Sequence, residues 1–176
     1  MAIYLIVPIV MISRYETVLA DGNVFRFRAM PVDPYDSFRG RYVVLRFKEA
    51  EVPIESCTDS LLAGDDVYVS LFKNDSGFAI VRNVNKTGSL NDDYFKATVK
   101  YVYSDNISLE FPFQRYYMNE ELAPLAEKAL RNNVWSGSDE VYTDVRIING
   151  TAVIEEIYIN GVPLKEYLAA LPESKD

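Results

Sequence analysis

The sequence predicts a mainly β domain, an antiparallel meander or barrel-like body that one amphipathic helix makes α+β overall. Three observations predict it. Phe25, Arg26, Phe27 and Arg28 alternate apolar with basic, the period of a strand with one solvated face. Glycine turns open into aromatic and β-branched runs, as in Gly64-Asp-Asp-Val-Tyr-Val-Ser-Leu-Phe72. Asn149-Gly150, the strongest short hairpin dipeptide, lies inside a run expected to form a last hairpin, residues 145–159.

Residues 2–12 carry no charged side chain. As a helix, eleven residues reach about 16 Å, whereas a bilayer's hydrocarbon core is about 30 Å thick and takes roughly 20 residues to cross. We read residues 1–13 as a truncated hydrophobic membrane anchor and 14–176 as one β-rich domain. Arg14 and Tyr15 then stand at the membrane edge, where such residues are favoured, and in-frame coding sequence upstream of Met1 is expected to complete the span. Two other readings compete. Short apolar runs also form buried core segments, and Val18-Leu-Ala20 resembles a signal-peptide cleavage site, although no basic segment precedes it.

Asp21-Gly22-Asn23 marks a turn into the Phe25 strand, and residues 22–83 read as a meander rather than as βαβ units. Asp33 is placed to cap a short turn that starts at Pro34, with Asp36 as its third-position acid. After Gly40, residues 41–47 form a strand whose Val43, Leu45 and Phe47 share one face. Further strands are expected at 78–82, 94–103 and 107–113. The helix starts at Asn119 as N-cap, with Glu120 and Glu121 in its first turn and Leu122, Leu125, Ala126, Ala129 and Leu130 on its apolar face. A short terminal helix follows Pro163, over residues 164–171.

Composition bounds the chemistry. The chain has 176 residues, 49% hydrophobic and 25% charged, which suits a single folded domain. It has no histidine, and Cys57 is its only cysteine, so histidine-based triads, His/Cys zinc sites and an intramolecular disulfide are all excluded. We expect no metal and no cofactor. The net charge is -8, unevenly spread: residues 1–48 carry seven basic and four acidic side chains, the rest 11 and 22. An acidic body lacks the basic face that phosphate backbones require, so no nucleic-acid partner is expected.

Pro31-Val-Asp-Pro34, followed by Arg39-Gly-Arg-Tyr-Val-Val-Leu-Arg-Phe47, resembles the bacterial family named for its GDYxxLxY motif. The resemblance continues through Val67-Tyr-Val-Ser-Leu71, Phe111-Pro-Phe-Gln-Arg-Tyr-Tyr-Met-Asn-Glu120 and Ile159-Asn-Gly-Val-Pro163, and so covers most of the chain from Arg14 onward. It implies an N-terminal membrane helix followed by a β-rich domain, often encoded beside or fused to a multi-span membrane protein. The implied partners are the membrane and that protein; the implied location is the membrane, with an extracytoplasmic body favoured over the cytoplasmic one that Arg14, Arg26 and Arg28 would suggest by charge. Gly40, Tyr42 and Leu45 match the motif, and Phe47 stands where it ends in tyrosine. Arg41 replaces the motif's aspartate and reverses the charge, so it cannot ligate a metal or pair with Arg39 as a carboxylate would.

Asp33, Pro34, Asp36, Arg39, Gly40, Tyr42, Leu45 and Phe47 are therefore expected to be chiefly structural. Arg26, Arg28, Arg39, Arg46 and Arg115, with Glu120, form the candidate binding set; a first-turn helix acid also explains Glu120 without any binding role. The function expected is that of a non-enzymatic, membrane-anchored domain. The alternative is a hydrolase near residues 33–41, using the carboxylates Asp33 and Asp36 or a signal-peptidase-like Ser37, for which the motif supplies no activating lysine.

Overall fold

The computed structural model describes residues 3–30, 42–88, 92–136 and 140–171. Helix α1 spans Ile3–Asp21 and leads through Gly22 into strand β1, Asn23–Met30. Short strands β2 (Tyr42–Val44), β3 (Arg46–Phe47) and β4 (Glu51–Pro53) precede the longer β5 (Asp66–Lys73), β6 (Ala79–Asn85), β7 (Asp93–Val102) and β8 (Asn106–Glu110). Strand β9 (Arg115–Tyr117) leads to helix α2 (Ala123–Ser136), then β10 (Val141–Ile148), β11 (Thr151–Ile159), β12 (Val162–Pro163) and helix α3 (Leu164–Ala170).

Among the described residues the strands make two five-stranded antiparallel sheets and a ribbon: one sheet runs β12-β11-β10-β1-β3, the other β4-β8-β7-β5-β6, and β2 pairs with β9. Isolated bridges Arg26–Phe78 and Phe95–Gly150 tie the first sheet to the second and nearly close a barrel. The fold is thus mainly β, as the alternation predicts. The expected meander over 22–83 is corrected: β1 pairs with β10, Arg26 opposite Asp144, because Phe25 and Phe27 find their covering strand only in the C-terminal hairpin. The expected strand over 41–47 also breaks at Leu45, whose N–H donates to the Gln114 carbonyl at 2.8 Å, so β2 joins the ribbon while β3 pairs with β1.

At the centre, the Phe27 ring lies 5.1–6.2 Å from those of Phe47, Phe95, Phe111 and Phe113. Val43, Leu45 and Phe47 are all buried, as their shared face requires. The Asn149-Gly150 turn forms with φ of 49° and 80°, the two positive values of a type I′ turn, and Asn160-Gly161 repeats it at 52° and 77° between β11 and β12. Helix α2 begins later than its N-terminal signals suggest. Asn119 caps a preceding turn, its side-chain oxygen accepting the Glu121 N–H at 3.0 Å. The helix then buries Ala123, Ala126, Ala129, Leu130 and Asn133, whereas Leu122 and Leu125 are exposed. Asn133 is satisfied there by donating to the Ala129 carbonyl at 2.7 Å.

Of residues 12–21 in α1, only Val18 is buried, so the body covers this stretch at its last turn alone, against β10 and β11. The helix continues without interruption past residue 13. Among the described residues no helix is long and apolar enough to cross a membrane.

Glu49, in the 3₁₀ turn Lys48–Ala50, is a buried acid. Its carboxylate accepts the Arg28 backbone N–H at 3.0 Å and faces the Arg28 guanidinium at 3.2 Å. Burial outweighs these partners and raises its pKa above the ordinary value of 4.5. A raised carboxyl pKa means that the folded state holds its proton more tightly than the unfolded chain. Stability from this group therefore grows as pH falls through the folded value, and the gain is complete below 4.5. Glu49→Gln lacks that titration. The melting temperature of wild type minus that of the variant is expected to rise between pH 7 and pH 4.5; a fall would contradict the assignment.

Candidate functional site

The motif strand β2 and strand β9 come from two segments of the family resemblance and form one ribbon, with Tyr42 opposite Tyr117, Val43 opposite Tyr116 and Val44 opposite Arg115. The inner face carries Val43 and Tyr116. The Tyr116 hydroxyl donates to Glu156 of β11 at 3.1 Å, and burial together with that carboxylate drives its pKa far above the ordinary phenol range, so it serves as a neutral tether. The outer face carries Tyr42 and Arg115, with the guanidinium 5.4 Å from the Tyr42 ring centre.

Across from this face lies the outward side of β5, β7 and β8, and the two surfaces bound a cleft of about 1200 Å³. Its floor follows from strand alternation. Phe95, Ala97 and Val99 of β7 point into the core, leaving Lys96, Thr98 and Lys100 outside. A β-bulge then shifts the register: Val99 faces Leu109, but Tyr101 faces Ser108. Without the bulge Tyr101 would point to the core side. With it, Tyr101 joins Lys100 and Thr98 on the cleft side, the kind of re-aiming that bulges produce. Tyr103 follows at the rim, with its ring 6.3 Å from that of Tyr101.

The cleft is locally basic in an acidic protein. Arg46, Lys86, Lys96, Lys100 and Arg115 line it, against Glu51, Asp66 and Glu110. Lys86 is bound to Asp65 at 2.8 Å, and this contact lowers the Asp65 pKa. Glu51 accepts the Ser108 hydroxyl at 2.8 Å and Asp66 that of Thr98 at 3.1 Å. Lys96, Lys100 and Arg115 have no carboxylate within ion-pair reach among the described residues. Each instead sits over a tyrosine ring, those of Tyr68, Tyr101 and Tyr42 at 5.4, 5.6 and 5.4 Å.

The residues singled out in the sequence divide among several places. Tyr42, Arg46 and Arg115 line the cleft, whereas Leu45 belongs to the core and Phe47, a core ring, reaches the cleft wall. Glu120 is exposed in the turn before α2, away from the cleft. Arg26 and Arg28 project outward from β1, but not as a free basic strip. Arg26 binds the buried Asp144 at 3.3 Å, and Arg28 binds Glu49 while its guanidinium lies 3.8 Å from the Phe78 ring centre. Burial raises the pKa of Asp144, and Arg26 offsets this in part. Arg46 stands opposite Met30, at the end of β1 remote from α1, seven residues or about 23 Å along the strand. Asp33, Pro34, Asp36, Arg39 and Gly40 lie outside the described residues, as do Ser37, Arg41 and with them the alternative hydrolytic site. Met30 and Tyr42, which bracket that segment, both line the cleft.

Sequence reasoning missed Lys96, Lys100, Tyr68, Tyr101 and Tyr103. The alternation through residues 95–100 marks them as a solvated face, but a solvated face reads the same whether or not a ribbon stands across from it. No set of three or more Cys, Asp or Glu side chains among the described residues could hold a metal ion.

No curated protein matches this chain, and no solved structure does. The family model described as GDYXXLXY protein matches residues 4–157, taking in α1, the β2–β9 ribbon, both faces of the cleft and nearly all of β11. The segments that the motif resemblance picked out between Pro31 and Glu120 are thus parts of a single match, residues 159–163 lie just beyond it, and the chain belongs to the GDYXXLXY family.

Proposed function

We propose that this protein is a non-enzymatic binding domain held at the bacterial membrane by a single N-terminal helix, and that its partner is a multi-span membrane protein encoded nearby. The observation that carries this reading is the exposure of α1 between Ile12 and Asp21. The body buries only Val18 between residues 12 and 21, and the ten residues before Ser13 include no charged side chain. A helix that the body covers only at its last turn, and that continues an apolar run of ten residues, is suited to an apolar environment beyond the body. In this reading residues 3–12 enter the bilayer while Arg14, Tyr15 and Glu16 stay at headgroup level, where tyrosine and arginine are favoured.

The experiment is vesicle flotation of the full chain, followed by detergent co-purification with the neighbouring membrane protein. Wild type is expected to float, and Val10→Asp to be released, since an acidic residue in a membrane helix costs about 2.5 to 3.5 kcal/mol. A chain that stays in the aqueous fraction and recovers no membrane partner refutes the proposal. Protease accessibility in spheroplasts then fixes the side on which the body lies.

A further inference from the structure

We infer that the cleft between the β2–β9 ribbon and the outward face of β7 and β8 is a recognition site for an extended acidic segment of a protein partner. Its cations are held ready rather than neutralised. Lys96, Lys100 and Arg115 each rest on a tyrosine ring, with no carboxylate within ion-pair reach among the described residues. Such an arrangement positions a positive charge without cancelling it. The bulge supports the same reading, because its effect is to bring Tyr101 onto the cleft side beside Lys100.

Size and charge pattern select the ligand class. At about 1200 Å³ the cleft exceeds the roughly 300–1,000 Å³ of most small-molecule sites. From Lys96 to Tyr103 its floor runs about 23 Å, the length of seven extended residues. Glu51, Asp66 and Glu110 are interspersed with the cations and would repel a continuous polyanion such as nucleic acid or a sulfated glycan. A peptide suits the mixture. Its backbone amides meet these acceptors, while a few acidic side chains meet the lysines. Lys96 and Lys100 lie about 13 Å apart along β7, so carboxylates four residues apart on an extended peptide match them. That the segment belongs to a loop of the membrane partner rests on the function proposed above; the peptide recognition itself does not.

The test uses the full chain in neutral detergent and a fluorescent twelve-residue peptide of serine and glycine with glutamates four residues apart. Wild type is expected to bind it at least tenfold more tightly than the peptide with lysines in place of the glutamates, and to lose affinity as salt rises. The triple variant Lys96→Gln, Lys100→Gln, Arg115→Gln should lose at least tenfold in affinity. All three side chains are exposed, so circular dichroism and flotation should stay unchanged. Equal binding of the two peptides, or tighter binding of a sulfated hexasaccharide or of phosphatidylglycerol vesicles through the same three residues, overturns the inference. Peptide binding by a chain that fails to float leaves the cleft assignment standing and removes only the membrane reading.

Discussion

Phe27→Ala is expected to cost about 3 to 5 kcal/mol of unfolding free energy, the usual range for a fully buried phenylalanine. Phe27 has no exposed surface, and its ring is in contact distance of those of Phe47, Phe95, Phe111 and Phe113. Those four come from β3, β7 and the link between β8 and β9, so the cavity would open where the two sheets meet and could not close by moving one element. Urea or thermal unfolding checks it. For a domain of this size each 1 kcal/mol lowers the melting temperature by about 2 to 4 °C, so a shift of about 10 °C is expected. A shift under 2 °C would show that the cage collapses onto the missing ring.

Gly22→Ala is expected to be nearly as damaging, by about 3 kcal/mol, the upper part of the overpacking range. A Cβ there would collide with the Val18 carbonyl oxygen and crowd Arg146 Cβ at 3.1 Å and Ile147 N at 3.2 Å. Two of these atoms are backbone and the third is a Cβ, so none can swing aside. Gly22 N–H also donates to that same Val18 oxygen at 2.9 Å, which closes the last turn of α1 against β10. The readout separates this from a general loss of stability: amide exchange and proteolysis should increase at residues 18–24 well below the melting transition. If the variant melts lower but keeps this junction protected, the crowding has been relieved elsewhere.

Local pattern made much of the fold legible and left its assembly hidden. The alternation at Phe25–Phe27 and Phe95–Val99, and the Asn149-Gly150 turn, are properties of neighbouring residues, and each formed as the sequence indicates. The second Asn-Gly turn carried the same signal. Which strand lies beside which is a different matter, since nothing in residues 23–30 specifies that their partner is 141–148. The α2 boundary moved because Asn119 satisfies a turn first and Pro124 then suits the start of the helix, which rotates Leu122 and Leu125 out to solvent. The site was legible in halves. Tyr42 and Arg115 stood out through the motif segments, whereas Lys96 and Lys100 acquire meaning only from the ribbon across from them and Tyr101 only from the bulge, a one-residue insertion that periodicity does not reveal.

The pairing of β1 with β10 also sets a timetable during synthesis. Arg26 and Asp144 are 118 residues apart, so at about 5 to 20 residues per second β1 leaves the ribosome about 6 to 24 s before the strand that will cover it exists. For that interval β1 is paired only at its end, with the two residues of β3, and the edge that β10 will take is a template for aggregation. Arg26 and Arg28 alternate with Phe25 and Phe27, charges placed where gatekeeping residues interrupt an exposed apolar strand. Glu49 reaches Arg28 early in the chain, whereas Asp144 reaches Arg26 only once the C-terminal hairpin has been made. The arginines of β1 thus guard the nascent strand before they become ion-pair partners in the finished domain.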